Sequence, residues 1–270
     1  MNLNESILKI DGLDSLSLIK SGAYKDTYHC MYKGKNTILG HYRIQQNYFN
    51  LNPQREANIL SKINDLKLAP EALFFDEKAS IIITSKIEGE HFSQLNERKR
   101  LISRIAKGLL SLHSNDFIGV THTFRDSLIA YRENLTSKQE ENIFIQTIEL
   151  YDSLRNIYDG YCLCHNDLHP ENVLFNDRIQ FIDWEYASLN LPYFDLAYAI
   201  EHFQMNKSEI VYFISEYSES IQDIDLDTIN KYRKLSKYVT LIWLLILDKY
   251  YTMSSSETEL MASLKMKLNV

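Results

Sequence analysis

Two carboxylates and an amide, Asp167, Asn172 and Asp183, fall in one stretch from Leu163 to Tyr186 that reads L-C-H-N-D-L-H-P-E-N-V-L-F-N-D-R-I-Q-F-I-D-W-E-Y. Phosphoryl transfer asks a protein for that set. One carboxylate orients the acceptor hydroxyl, while an amide and a second carboxylate hold magnesium on the phosphates. The spacing also predicts how the groups are carried. A strand-like run, Tyr161 to Cys164, feeds a polar loop bearing His165, Asp167 and Asn172. A short apolar strand (Val173 to Phe175), a turn at Asn176-Asp177 and a second strand (Ile179 to Ile182) then lead to Asp183. The three groups leave the ends of adjacent strands at one edge of a hairpin. His-x-Asp alone is usually a capped turn, and Ile-Asp-Trp alone a strand end; their conjunction on consecutive apolar runs is the signal. Asp167 is therefore the candidate general base or hydroxyl-orienting group, and Asn172 and Asp183 the candidate magnesium ligands. Positioning outweighs basicity in such a transition state, so an ordinary carboxylate suffices.

The rest of the chain must support that hairpin. Its 270 residues fit one large domain or two modest lobes, and a 45% hydrophobic, 24% charged composition is that of an ordinary globular protein. A net charge of −7 argues against a nucleic-acid partner and is compatible with a cationic substrate. The opening M-N-L-N-E-S has no basic and apolar leader, and the apolar run from Leu241 to Leu247 is too short for a bilayer. A cytoplasmic protein with reduced thiols at Cys30, Cys162 and Cys164 is expected. The sequence shows no His–Cys metal constellation, so zinc is not expected.

Residues 1–85 read as strands around one helix. The strands are Leu16 to Ile19, Thr27 to Tyr32, Thr37 to Ile44, Ala72 to Phe75 and Ile81 to Thr84, with a helix opened by Pro53 and running to Ile63. Residues 86–90 form the expected hinge. Residues 91–270 turn to helices over Leu101 to His113, Arg125 to Leu135, Glu140 to Ile157, Phe194 to Phe203, Ser208 to Ser218 and Asp227 to Lys249, and end in a polar tail.

The H-N-D-x-x-x-x-N spacing and the following I-D-W-E-Y-A resemble the choline/ethanolamine kinases and bacterial thiamine kinases, within the protein-kinase-like aminoglycoside phosphotransferase superfamily. The D-F-G of protein kinases is replaced by Asp183-Trp184-Glu185. The likeness is dense from Cys164 to Phe203 and can be traced from Ser21 to the Trp243 region. It implies a two-lobed α/β (α+β) fold, with an antiparallel-sheet N-lobe that binds ATP and a mainly helical C-lobe. It also implies roles. His165 braces the catalytic loop, and Asp195 starts a helix and braces the same loop. The hairpin at Ser21-Gly22 covers the ATP phosphates. Glu56 pairs with a strand base, for which Arg43 is chosen, although gapless counting from the Gly34 turn lands on Gly40. The backbone at Lys86 and Ile87 meets the adenine.

A cationic alcohol would be held by aromatic faces. Candidates are Trp184, Tyr186, Tyr193, Phe203 and Trp243, with Glu185 or Glu201 for charge. The expected activity is ATP- and Mg2+-dependent phosphorylation of choline or ethanolamine. Thiamine is the second candidate and an aminoglycoside the third; a catalytically dead nucleotide-binding module is the rival of a different class.

Overall fold

The computed structural model describes residues 10–43, 47–155, 160–218 and 226–270. Its N-terminal part is a meander: β1 (Leu13–Ser21), β2 (Lys25–Tyr32) and β3 (Lys35–Tyr42), followed by helix α1 (Pro53–Ile63) and strands β4 (Ala72–Asp76) and β5 (Ile81–Ser85). The sheet is antiparallel with order β1-β2-β3-β5-β4. Strand period two divides its faces. One face buries Cys30, Tyr32, Leu39, Ile81 and Ile83 in a core of their own. The other presents Tyr42 and Ile82 to Ala57 of α1. Asn52 caps α1 by accepting from Arg55 N at 3.0 Å, with Pro53 in the first turn. The inward stripe of α1, Ile59, Leu60 and Ile63, joins the large core shared with the helices beyond.

Past residues 86–89 come β6 (Glu90–His91) and helices α2 (Arg98–His113), α3 (Phe124–Tyr131) and α4 (Lys138–Arg155). The site hairpin is β8 (Val173–Phe175) with β9 (Ile179–Phe181), and β6 adds to its free edge. Strand β7 (Cys162–Cys164) pairs instead with β10 (Ser188–Asn190), in register Cys164↔Ser188. The loop from 165 to 172 thus crosses from one small sheet to another. Of the following helices α5 (Pro192–His202), α6 (Lys207–Tyr217) and α7 (Leu226–Tyr250), α5 packs on β7 and on α7, and α6 packs on α2. No helix among the described residues is long and apolar enough to cross a membrane.

The expected elements are present, with ends moved by up to a few residues. Ile44 and Ile157, placed at element ends from the sequence, lie outside the described residues. The polar tail is a correction: Ser255–Leu268 is a helix, α8. Only Leu264 and Leu268 of it are buried, so it carries no apolar stripe to read. Its start is fixed by a capping box, in which Ser254 Oγ accepts from Glu257 N and Glu257 Oε2 accepts from Ser254 N at 2.6 Å.

Candidate active site

The loop that carries Asp167 is tied down from three sides. Asp195, in the first turn of α5, accepts from His165 N and Asn166 N, both at 2.8 Å. The helix-starting role expected of Asp195 from the sequence is not seen: Leu191 stands at that cap without a side-chain bond, and the carboxylate serves the loop. His113 Nε2 lies 3.1 Å from the same carboxylate. Asn166, left-handed at φ +65°, donates to Tyr186 O and Ser188 Oγ and accepts from Asn190. His165 lies 2.9 Å through Nε2 from Ile182 O, which places its proton on that nitrogen. Burial lowers the His165 pKa, so the ring is a neutral brace between loop and β9.

The fold gathers His113, Cys162 and Cys164 within 4.8 Å, a grouping the sequence spacing did not show. Both His113 nitrogens have protein partners, Tyr217 OH at 2.8 Å and Asp195, so the cluster backs the loop.

Asp167 Oδ1 accepts from Tyr198 OH at 2.7 Å. Its Oδ2 accepts from Asn172 Nδ2 at 3.1 Å, and the same amide donates to Asp167 O. Burial pushes the Asp167 carboxyl up to about 6, against the pull of the Tyr198 and Asn172 bonds. With Nδ2 of Asn172 so engaged, Oδ1 is its available metal donor. Asp183, left-handed at φ +66° after β9, contributes a carboxylate paired with Lys25. Burial raises the Asp183 pKa, but the Lys25 ammonium outweighs it and holds the group at about 2. An ionised carboxylate and an amide oxygen at one edge of the hairpin are a donor set that suits magnesium.

Glu185 is buried and central. It accepts from Tyr24 OH and Lys25 Nζ, and Tyr42 OH lies 3.4 Å from its Oε2. Burial and the neighbouring Asp183 push its pKa upward, with Lys25 opposing. Tyr42 OH also bonds Glu56.

Several residues chosen from the sequence stand elsewhere. Arg43 does not meet Glu56. It binds Asp26 at 2.7 Å and the carbonyl of Gly22, stiffening the β1–β2 hairpin. Strand parity explains this: Gly40 and Tyr42 face α1, and the next residue faces away. The base near Glu56 is Lys25, on β2. Trp184 is 1% exposed and donates to Phe181 O, packed on His165 in the core, so it is no substrate wall. Tyr193 stacks on Tyr232, Phe203 packs on Phe92, and Glu201 pairs with Arg233. The Lys86 side chain pairs with Glu88 at 2.6 Å.

Ser21 and Gly22 line an outer cavity of about 630 Å³, together with Lys25, Asp183 and Glu185. A deeper cavity of about 280 Å³ adjoins it, walled by Tyr131, Tyr186, Tyr198 and Trp243 with Asp167 inside. Glu257, from the helix the sequence did not show, borders both. Trp243 donates to Tyr186 OH at 2.9 Å and stacks on Phe49.

Tyr24, Tyr131 and Tyr198 were missed because 18 tyrosines in the chain dilute any one. Tyr198 had a signal, lying three residues after Asp195 on one helix face. Its bond lowers the Asp167 pKa, so Tyr198→Phe is expected to raise that pKa and move the acid limb of activity to higher pH, with kcat reduced about 3–10-fold. An unmoved limb in a kcat/KM pH profile would show that Tyr198 does not tune Asp167.

Known proteins share this architecture. Choline kinase LicA from Streptococcus pneumoniae superposes with a TM-score of 0.78 at 20% identity, covering 99% of this chain and 97% of that one. An ethanolamine kinase of Plasmodium vivax superposes at 0.73 and 16% identity, over 96% and 83% of the two chains. In sequence, protein LicA of Haemophilus influenzae strain Rd is 30% identical over 179 residues, 61% of this chain and 62% of that protein. A LicA homolog of Mycoplasma capricolum is 27% identical over 205 residues, 74% and 79% of the two chains. The chain thus matches about three fifths of the length of the Haemophilus protein. The profile of the phosphotransferase enzyme family matches residues 15–212, a span that takes in the β1–β2 hairpin, the Asp167 loop and the Asp183 strand end, and the chain belongs to that family.

Proposed function

We propose that this protein is an ATP- and magnesium-dependent kinase that phosphorylates the hydroxyl of a small cationic alcohol, with choline as its substrate. The observation that carries the reading is the deep cavity. Aromatic rings wall it, Asp167 lies inside it, and Asp183 and Glu185 border it. Cations are attracted to ring faces, and the attraction grows as water is excluded. Three of the hydroxyls here have protein partners: Tyr198 with Asp167, Tyr24 with Glu185, Tyr186 with Trp243. Tyr131, Tyr186, Tyr198 and Trp243 offer ring faces, and a trimethylammonium, with no N–H to donate, is held by such faces and by the nearby carboxylate charge alone. At about 280 Å³ the cavity is also at the lower edge of ligand pockets, which favours choline over thiamine or an aminoglycoside.

In this reading Asp183 and Asn172 would hold magnesium, whose charge would offset that of the transferring phosphoryl group. Asp167 accepts a hydrogen bond from the substrate hydroxyl and turns its oxygen toward the phosphorus. The β1–β2 hairpin at Ser21-Gly22 covers the phosphates, and the backbone at Lys86 and Ile87 receives the adenine. The likeness to the LicA proteins and the Streptococcus choline kinase supports the same substrate.

ATP consumption with magnesium, measured against choline, ethanolamine, thiamine and kanamycin, tests the proposal. Turnover selective for choline is expected. Selective turnover of another member moves the substrate assignment, and MgATP binding without any turnover refutes the choline reading.

A further inference from the structure

We propose that the phosphate-anchoring base of this kinase is Lys25 of β2, which reaches across a gap left by Gly40 of β3 and replaces a basic side chain on β3. The inference rests on the reading of the site as an ATP site.

Three observations carry it. First, Lys25 and Gly40 share a face. Lys25 pairs with Tyr42 and Thr27 with Gly40, so residues 25, 27, 40 and 42 all point the same way. That face is the one α1 covers, through Ala57 against Tyr42. Second, the Lys25 stem fills the space over Gly40. A Cβ built at residue 40 would lie 3.5 Å from Lys25 Cδ and 3.9 Å from Lys25 Cγ. A long side chain from residue 40 would occupy the channel that Lys25 uses, so the two positions are alternative origins for one ammonium. Third, that ammonium arrives at the carboxylates. Lys25 Nζ bonds both Asp183 and Glu185, and Glu56 is close enough to stabilise its charge. A cation in reach of Asp183 is in reach of phosphates held through a metal on Asp183.

Lys20 of β1 also lines both cavities, but among the described residues it is Lys25 that bonds Asp183 and Glu185, and Arg43 and Lys35 do not fill this place. Arg43 is committed to Asp26 and the Gly22 carbonyl. Lys35 lies exposed at the far end of β3. Tyr42 adds a connection of its own, because its hydroxyl joins Glu56 to the Glu185 end of the network.

The test is calorimetric binding of MgATP, MgADP and adenosine to three proteins checked for folding by circular dichroism: wild type, Lys25→Met, and Lys25→Met with Gly40→Lys. Lys25→Met is expected to weaken MgATP and MgADP by about 30-fold or more, the scale of losing one partner of a buried charge contact, and to leave adenosine unchanged. The double variant is expected to recover most of the polyphosphate affinity, since residue 40 opens into the vacated channel. A merely structural lysine would weaken all three ligands together. Equal MgATP affinity in wild type and Lys25→Met, uniform loss across the ligands, or a folded double variant without recovery would each overturn the inference. Should Lys25→Met fail to fold, Lys25→Arg replaces it, and tight MgATP binding there with loss in Lys25→Gln supports the inference equally. Wild-type protein that binds no MgATP would reject the kinase reading itself, and this assignment with it.

Discussion

Asp167→Asn is expected to cut kcat by about 10²–10⁴-fold while changing the MgATP dissociation constant by less than a few-fold. The amide keeps the shape of the carboxylate and can still meet Tyr198 and Asn172. What it loses is the charge that draws the substrate hydroxyl into line. Since the metal is assigned to Asn172 and Asp183, nucleotide binding should hardly notice. The wild-type pH profile carries a second signature. Burial raises the Asp167 pKa to about 6, so the carboxylate becomes protonated as pH falls through that value. A protonated group cannot accept from the hydroxyl, and kcat/KM should fall on the acid side with an apparent pKa of about 6. The residual activity of Asp167→Asn should lack that limb. Steady-state kinetics across pH, beside equilibrium nucleotide binding, checks both statements. Turnover near wild type in the variant would remove Asp167 from its assigned role.

What the sequence shows well is what a local pattern determines. Asp167, Asn172 and Asp183 are fixed by loop length and two apolar runs, so their convergence follows from short-range structure. The five sheet strands and the Pro53 helix follow from alternation and capping in the same way. Contacts across long separations are not written locally. Lys25 meets residues 158 and 160 positions away, and no window around it distinguishes it from Lys20 or Lys35. Choosing Arg43 went wrong by one residue of strand parity, which in a strand means the opposite face. Trp184 misled for a different reason: a large aromatic beside a metal ligand can wall a pocket or fill the core beneath it, and Trp184 fills the core. The helix at Ser255 escaped because its stability comes from caps and from packing on α7 rather than from an apolar stripe. The side-chain misses concern long-range contacts, which decide where a side chain goes once its element is known; the Ser255 helix is the exception, since its Ser254–Glu257 capping box is a local signal.

Asp183→Asn separates the metal role from the acid–base role. The substitution keeps the left-handed backbone, which asparagine tolerates, and removes only the charge. Magnesium prefers anionic oxygen, so the magnesium concentration for half-maximal activity is expected to rise at least 10–100-fold, a loss that even outer partners of a metal site produce. MgATP binding should weaken with it, while adenosine binding stays. The pH profile should move as well. Asp183, held at about 2 with the help of Lys25, is ionised throughout any working pH range, and its negative charge raises the Asp167 pKa. Removing that charge lets Asp167 ionise more readily, so the acid limb should move to lower pH, opposite to the shift expected for Tyr198→Phe. The two variants together therefore test whether one carboxylate, Asp167, generates the limb. Opposite shifts, measured at saturating magnesium, identify it; shifts in the same direction would mean that some other group titrates. An unchanged magnesium requirement in Asp183→Asn would remove Asp183 from the metal site.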